Sequence, residues 1–361
     1  MDKETIIARS RTFWAREKQD APLITMRYGN VFHNKMFRAN DHLLKKGLEI
    51  TPDMIHVEDY MADYERLYGE YEQIDQDGYY ACEPICGFPW IEAMLGCRVF
   101  GTESSFVTGR VYDSIDSVVI PEHMEESPWY KIYFDFHRMI NELGHWRFTS
   151  GQPIIRGVSD TLGALMGQSD MLYAMFEEPD EVKRLYGEIN RCLIKLGRDM
   201  YDYVQPVGGG YVMGFFNVWT PGRNIWYQED LSALFSPPYF DEYLLETSGE
   251  VIAGYDYNMV HLHPASFHLL DGMLEVKNLQ CFQVNKDNNG PTVREMLPQL
   301  RKILGAGKRV LIKGYLNTDD ADAVLEGLEP YGVAIQSFSP TVEDANRFCG
   351  YVREKAARLW K

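Results

Sequence analysis

The chain lacks the features that mark membrane, secreted and nucleic-acid-binding proteins. No apolar run in its 361 residues reaches the ~20 that span a bilayer, and the first residues lack the layout of a signal peptide. Lysine and arginine total 36 against 53 aspartates and glutamates, and a net charge of −17 argues against nucleic acid or an anionic membrane as partner. The six cysteines, without an export signal, are typical of reduced thiols. We therefore expect a cytoplasmic protein with neither a membrane nor a nucleic-acid partner.

Two further absences bear on the fold: there is no internal repeat, and there is no Gly-x-Gly-x-x-Gly turn. From about residue 150 onward, short apolar runs alternate with amphipathic stretches. The predicted strands are 152–158, 208–216, 259–263, 279–285, 309–315 and 333–338, and the predicted helices are 162–176, 180–203, 238–255, 292–306, 318–331 and 341–359. Such alternation implies parallel strands with helical crossovers, and without a dinucleotide-binding turn it favours a (β/α)8 TIM barrel.

The first 150 residues follow a different pattern. Residues 21–28 fit the first barrel strand, whereas residues of about 30–150 are rich in tyrosine and acidic side chains. No Ser/Gly linker separates them from the rest, so we predict one domain, 1–361, in which this extension forms a lid or cap. Aromatic side chains of the extension are expected at the rim of the barrel mouth. These are Tyr79, Phe88, Trp90 and Trp129.

Three cysteines and one acid in the extension required separate interpretation. Cys82, Cys86 and Cys97 lack a second pair at zinc-finger spacing, so we interpret them as packing thiols. Glu92 lies in an apolar helical stretch and must be paired or neutral if it is buried.

Two histidines stand two residues apart at the end of the predicted strand 259–263. Side chains i and i+2 of a strand share a face, so His261 and His263 lie side by side, and Pro264 ends the strand. Two neighbouring imidazoles suit a metal site or an acid–base pair. In the second case at least one pKa should fall below the usual ~6.5. The structural alternative is one hydrogen-bonded core histidine and one solvated loop histidine.

Polar residues also follow the other predicted strands, where barrel enzymes place their active sites. They are Arg156, Ser159, Asp160, Asn217, Trp219, Arg223, Asn285, Lys286, Asp287, Lys313, Tyr315, Gln336 and Ser337. Arg223 and Lys286 also fit solvated loop charges, and Asn285 and Asp287 also fit caps of the following helix.

The segments 153–167 and 171–182 resemble the uroporphyrinogen decarboxylase superfamily, as do 235–243 and 332–345. The resemblance covers residues from about 150 to 361 and implies the (β/α)8 fold. It also implies decarboxylase or methyltransferase chemistry. The methyltransferase branch carries His-x-Cys where this chain has His261-Leu262-His263, and a second cysteine in the loop after the last strand, where this chain has Gln336-Ser337. The resemblance therefore implies a metal site, with nitrogen in place of sulfur. The decarboxylase branch fits less well, because only Arg27 matches its arginine-rich opening.

Our hypothesis is a methyltransferase that moves a methyl group between a small methylated substrate or thiol and a corrinoid or folate carrier. His261 and His263 would hold zinc or another divalent metal, with Asp287 or Gln336 completing its shell. The predicted catalytic residues are Asp160, Asn217 and Tyr315, and the predicted substrate-binding residues are Arg156, Trp219, Lys313 and Trp90. The aromatic segment 219–227 would cover the substrate. The expected partners are a small substrate and a corrinoid protein, and a homodimer is one candidate assembly.

Two other classes stay open. The alternative enzyme is a lyase, decarboxylase or hydrolase that acts on a small carboxylated or aromatic substrate without a methyl carrier. The other class is a non-catalytic relative that binds a corrinoid or a partner protein.

Overall fold

The computed structural model describes residues 1–29, 33–145 and 147–361. Residues 30–32 and 146 of the predicted lid lie outside the described residues. The strands are β1 (Leu23–Tyr28), β2 (Glu49–Ile50), β3 (Ala81–Cys82), β4 (Arg98–Gly101), β5 (Phe106–Gly109), β6 (Thr149–Ser150), β7 (Tyr211–Met213), β8 (Val218–Thr220), β9 (Asn224–Gln228), β10 (Tyr257–Leu262), β11 (Cys281–Lys286), β12 (Arg309–Gly314) and β13 (Val333–Ser339).

The helices alternate with the strands in the second half of the chain. They are α1 (Lys3–Ala15), α2 (Met61–Tyr71), α3 (Trp90–Met94), α4 (Pro128–Gly144), α5 (Val158–Met166), α6 (Gln168–Glu177), α7 (Pro179–Met200), α8 (Pro237–Tyr243), α9 (Leu245–Ile252), α10 (Leu270–Glu275), α11 (Val293–Gly305), α12 (Thr318–Gly327) and α13 (Val342–Leu359). No helix of the described residues combines the length and the apolar character that crossing a bilayer requires.

A six-stranded parallel sheet forms the centre of the molecule, in the order β1-β13-β12-β11-β10-β9. Its strands are buried on both faces, which explains why they appear in the sequence as continuous apolar runs. The strands predicted at 21–28, 259–263, 279–285, 309–315 and 333–338 are confirmed within a residue or two at most ends.

The structure confirms a mixed α/β architecture but not the closed eight-stranded barrel. Beyond the six-stranded sheet, the strand pairings among the described residues are short. β3 and β6 form a two-residue parallel pair, and Arg156 makes a single parallel bridge to Gln228. The strand predicted at 152–158 is therefore not regular. Its backbone ladder is replaced in part by the Gln152 side chain, whose amide bonds both the carbonyl and the N–H of Trp226.

The opposite edge of the sheet is completed in the same way. The carboxylate of Asp77 accepts from the N–H of Ile24, and the amide oxygen of Gln76 accepts from the N–H of Met26. These side chains satisfy the outward-facing donors of β1, which would otherwise be an open edge.

The aromatic segment 219–227 is not the substrate-covering loop that we predicted. It contains the end of the β7–β8 hairpin and most of β9, which is a strand of the central sheet. Trp226 is 1% exposed and stacks on Phe215, with the ring centroids 5.5 Å apart. The alternation of apolar and polar residues in β9 is weak because all five of its residues are buried.

The helices match the prediction best where they have clear caps. Thr292 and Glu295 form a capping box at the start of α11, and Thr341 caps α13. At α12 the helix begins at the predicted residue, Thr318, and Asn317 caps it. The helix predicted at 162–176 is divided into α5 and α6 by Gly167, whose φ of +97° does not continue a helix.

Helix α1 covers the amino-terminal end of the sheet. The indole N–H of Trp14 donates to the carbonyl of Trp219, and its ring packs against Tyr257 at the start of β10. At the carboxyl end, the segment around Phe88 and helix α3 covers the sheet, backed by α4 and the antiparallel sheet β2-β4-β5. A cavity, described below, lies between the extension and the carboxyl ends of the strands.

Candidate functional site

A cavity of about 250 Å³ lies at the carboxyl ends of the central strands. The central sheet and the segments that flank it contribute Ile154, Arg156, Phe215, Gln228, Asp230, His261, His263, Asn285 and Lys313 to its wall, and the extension contributes Gly87, Phe88, Pro89, Glu92 and Ser105. The volume is just below the ~300–1,000 Å³ typical of small-molecule sites. The site therefore suits a small ligand held between the sheet and the extension.

His261 and His263 share one face at the end of β10, as their spacing predicts. Their ring centroids are 4.7 Å apart, with the ring planes almost perpendicular. Asp230, in the turn after β9, brings a carboxylate oxygen to 3.7 Å from Nε2 of His261. One ligand atom from each of these three residues lies within 4.8 Å of the other two. We call Asp230, His261 and His263 the candidate metal grouping.

The other nitrogen of each imidazole is held by a neighbour on β11 or just after it. Nδ1 of His263 lies 2.8 and 3.0 Å from the two carboxylate oxygens of Asp287, which also accepts from Asn285. Nδ1 of His261 bonds to the amide oxygen of Gln283, its register partner. Both contacts assign the proton to Nδ1 and leave the Nε2 lone pair free. Metal-binding histidines are usually oriented by such contacts.

Asp230 is itself held in place from two sides. The amide of Gln228 donates to its carboxylate at 2.8 Å. The backbone N–H groups of Asp230 and Leu231 donate to the carboxylate of Asp160, at 3.0 and 2.7 Å. Asp160, predicted as catalytic, thus lies behind the cavity wall and positions the turn that carries Asp230. Burial and the neighbouring carboxylates raise the pKa of Asp160 well above its usual range.

A second buried acid fixes the same turn to helix α5. Glu229 accepts hydrogen bonds from the N–H groups of Val158 and Ser159 and from the Ser159 hydroxyl. Burial raises the pKa of Glu229 to about 7, although these hydrogen bonds lower it. Gly157 permits the approach, because a Cβ at this position would meet the Glu229 carboxylate at 2.0 Å.

The grouping fits a divalent metal ion by its donors and by its spacing. Two imidazole nitrogens and one carboxylate oxygen form the protein ligand set of many catalytic zinc sites, with a fourth position left open. Ligand atoms ~2.1 Å from a tetrahedral ion lie roughly 3.4 Å from one another, close to the 3.7 Å between Asp230 and His261. Burial, with His263 beside it, lowers the pKa of His261 to about 4, which keeps the ring neutral for ligation.

Two buried basic side chains, Arg27 and Lys313, lie over the ring of Phe215, which lines the cavity. Arg27 makes a two-point ion pair with Glu83, at 2.9 and 3.1 Å, and its guanidinium also lies over the ring of Phe215. The ammonium of Lys313 lies over the same ring, 3.7 Å from its centroid. Burial and the charge of Arg27 lower the pKa of Lys313 well below its usual range.

Another ion pair of the cavity wall joins the segment before α5 to the extension. Arg156 is one-third exposed and binds Glu92, which is 1% exposed, at 2.7 Å. Glu92 is therefore paired, one of the two states we expected for this acid.

Five of the predicted residues line the cavity: Arg156, Asn285, Lys313, His261 and His263. Asp160 and Asp287 touch residues of the lining. The other predicted residues lie elsewhere, and each has a partner that explains its position. The side-chain oxygen of Asn217 accepts from the N–H of Ala81, and Trp219 lies under α1. Tyr315 is 46% exposed against Phe338.

Trp90 and Gln336 also lie outside the lining. Trp90 is fully buried behind Phe88, with the ring centroids 4.6 Å apart, and Trp129 packs on the same phenylalanine. The amide of Gln336 donates to the carbonyls of Phe215 and Phe216. Of the four aromatic residues expected at the rim, Phe88 alone is among the described lining residues.

Sequence reasoning missed Gln228, Asp230 and Gln283. The first two escaped because β9 was assigned to a loop, so its end was not searched for polar residues. The run Gln228-Glu229-Asp230 after the buried Asn224–Tyr227 segment was the available signal. The cysteines match their interpretation: Cys82, Cys86 and Cys97 are buried thiols, and the Cys86 sulfur contacts Arg27.

Comparison with solved structures supports the fold. The chain is similar to a methyltransferase from Methanosarcina mazei, with a TM-score of 0.66 and 12% identity over 97% of this chain and 98% of that one. A B12-independent methionine synthase from Shewanella sp. W3-18-1, in complex with selenomethionine, overlaps at a TM-score of 0.40 and 11% identity over 63% of this chain and 66% of that one. No protein-family model and no curated protein matches the chain. The likeness to the first structure spans nearly all of both chains and shows that the two proteins share a fold.

Proposed function

We propose that the cavity catalyses metal-assisted transfer of a methyl group to or from a small substrate. The observation that carries this proposal is the grouping of Asp230, His261 and His263, with both Nδ1 atoms held by Asp287 and Gln283. The shared fold with a methyltransferase supports the choice of reaction. The ligand set departs from the thiolate pattern that the resemblance implies, and a nitrogen–oxygen set makes a harder centre.

In this proposal the residues around the cavity have three roles: binding the metal, orienting its ligands and closing the cavity. Asp230, His261 and His263 would hold zinc or another divalent ion, which as a Lewis acid polarises the leaving group or the acceptor. Asp287 and Gln283 orient the two imidazoles and hold each Nδ1, which leaves each Nε2 available to a metal ion. Phe88 and the Arg156–Glu92 pair close the cavity on the side of the extension and limit the entry of water.

The cavity volume bears on the methyl carrier. A space of about 250 Å³ admits a small methylated substrate but not a corrin ring as well. A corrinoid or folate carrier would therefore approach from the mouth, and a corrinoid would arrive on its own protein. In this proposal the extension acts as a lid, and the short pairings β3–β6 and Arg156–Gln228 complete a (β/α)8 barrel.

The assay is methyl transfer to free cob(I)alamin, which changes the visible spectrum. The zinc-loaded protein is mixed with a panel of methoxylated, methylthio and methylamino compounds. We expect a spectral change with at least one donor, and its loss in His261→Ala but not in His123→Ala, a change on the protein surface.

A flat spectrum across the panel would contradict methyl transfer to a corrinoid. It would favour the second candidate, a metal-assisted lyase or hydrolase acting on a small carboxylated substrate. The specific observation behind that candidate is the same ligand set, since two histidines and a carboxylate with an open position are typical of zinc hydrolases.

A further inference from the structure

Lys313 is a buried basic side chain in the wall of the cavity. It is the fifth residue of β12, 2% exposed, and its register partners are Asn285 on β11 and Gln336 on β13. Its ammonium lies 3.7 Å from the centre of the Phe215 ring and 5.5 Å from the rings of Phe216 and Phe338. Aromatic faces thus hold the end of the side chain beside the cavity that it lines.

Each carboxylate around Lys313 has its own basic or hydrogen-bonding partner. Glu83 is bound by Arg27 through both oxygens. Glu92 is bound by Arg156, and Asp230 belongs to the candidate metal grouping. Among the described residues, no carboxylate lies within ion-pair distance of the Lys313 amine, so the protonated form of this side chain has no direct protein counter-ion, in keeping with its lowered pKa. Buried charges in proteins are normally paired.

We propose that Lys313 binds a carboxylate group of the substrate, so that the cavity selects small methylated carboxylic acids. This inference rests on the proposed function, because it names the substrate class of the same cavity. A bound carboxylate would supply the missing counter-ion and favour the ammonium form of Lys313, with one negative charge against one positive charge. A doubly charged phosphate or phosphonate would leave one excess charge close to Asp230 and Glu83, so a carboxylate is favoured.

The geometry gives the bound acid an orientation. Its carboxylate would lie against Lys313, with Asn285 next to it across the β11–β12 register. The rest of the molecule would extend toward His261 and His263, which line the same cavity. The methylated atom then meets the candidate metal grouping, and the charged end determines which acids are accepted.

The test measures binding rather than turnover. Acetate, methoxyacetate and benzoate are titrated calorimetrically into the zinc-loaded protein, each beside its neutral amide, with methylphosphonate as the doubly charged probe. We expect at least one carboxylate to bind more tightly than its amide and than methylphosphonate. In Lys313→Met, which keeps the length of the side chain, its affinity should fall on the order of 10- to 100-fold.

Lys286→Met is the matched control. Lys286 follows Asn285 on the neighbouring strand, but its ammonium binds Asp320 and the carbonyl of Tyr315 outside the cavity. Its removal should leave carboxylate binding unchanged. Lys313→Gln is the second variant, in case the methionine does not fold, and the same loss is expected.

Three outcomes would overturn the inference: no carboxylate binds, acids and amides bind equally, or Lys313→Met binds acids as the wild type does. Tighter binding of methylphosphonate would overturn the choice of carboxylate. The metal content of each variant, measured in parallel, separates this inference from the proposed function. If Lys313→Met keeps its zinc but loses carboxylate binding, the result supports the role of Lys313. If the wild type itself holds no zinc, the result contradicts the candidate metal grouping and thus the proposed function.

Discussion

His137 of helix α4 gives a stability prediction whose size follows from its surroundings. The side chain is fully buried, its ring packs against Tyr133 at 4.8 Å, and neither ring nitrogen has a hydrogen-bond partner among the described residues. Burial lowers the pKa of His137 to about 3. In the unfolded chain the ring has its ordinary pKa of ~6.5.

The direction of the effect follows from the two pKa values. Below about pH 6.5 His137 binds a proton in the unfolded chain, whereas in the folded protein it stays neutral until the pH approaches 3. Acid therefore favours the unfolded state. This proton linkage costs the folded protein no stability above pH ~6.5. The free energy of unfolding then decreases as the pH falls from ~6.5 toward the folded pKa. Integration gives a loss of about 1.4 kcal/mol at pH ~5.5 and about 2.7 kcal/mol at pH ~4.5, relative to pH ~7.5.

The assay is urea unfolding of the wild type and His137→Leu at these three pH values. Leucine has nearly the same volume and no proton to gain, so the difference in unfolding free energy should shift in favour of the variant by these amounts as the pH falls. Met139→Leu on the same helix is the control for a change in packing, and its difference should not vary with pH. A His137→Leu difference constant from pH ~7.5 to ~4.5 would refute the argument.

Three further predictions concern buried groups near the cavity. Arg27→Met should lower the free energy of unfolding by about 3–5 kcal/mol, because it leaves the buried Glu83 unpaired; an equal loss in the double variant with Glu83→Gln would contradict this. Asp287→Asn should weaken zinc affinity about 10- to 100-fold in chelator competition, because it removes the carboxylate that orients His263; Asp271→Asn, on an exposed ion pair, should leave it unchanged. Gly157→Ala should lower the free energy of unfolding by roughly 1–3 kcal/mol, because the new methyl group displaces the Glu229 carboxylate; unfolding like that of Gly249→Ala, where a Cβ meets nothing within 4 Å, would contradict this.

The central strands could be predicted because their physical signal is local. β10 to β13 are apolar runs ended by Pro264, Gly314 or polar residues, and their parallel neighbours follow from the crossover rule. The starts of helices α11 and α13 are marked in the sequence by the N-cap residues Thr292 and Thr341. Here pattern, propensity and capping agree.

The other parts of the fold and of the site depend on contacts between residues far apart in the sequence, which a local pattern does not indicate. The segment 152–157 looks like a strand, but Gln152 bonds the backbone of Trp226 in place of a ladder. Asn217 and Trp219 were placed near the mouth because β8 and β9 were missed, and they pack elsewhere. His261 and His263 could be found from their spacing, whereas Asp230 reaches them only through the turn that Asp160 and Glu229 hold.

Metal content tests the central claim most directly. The protein is purified without chelators, dialysed against metal-free buffer and analysed by mass spectrometry of its metals. Wild type and His123→Ala should each retain about one divalent ion per chain, as expected for a three-ligand catalytic site. His261→Ala should retain far less, because Asp230 and His263 alone leave two ligands. Equal and negligible metal in wild type and His261→Ala would contradict the account.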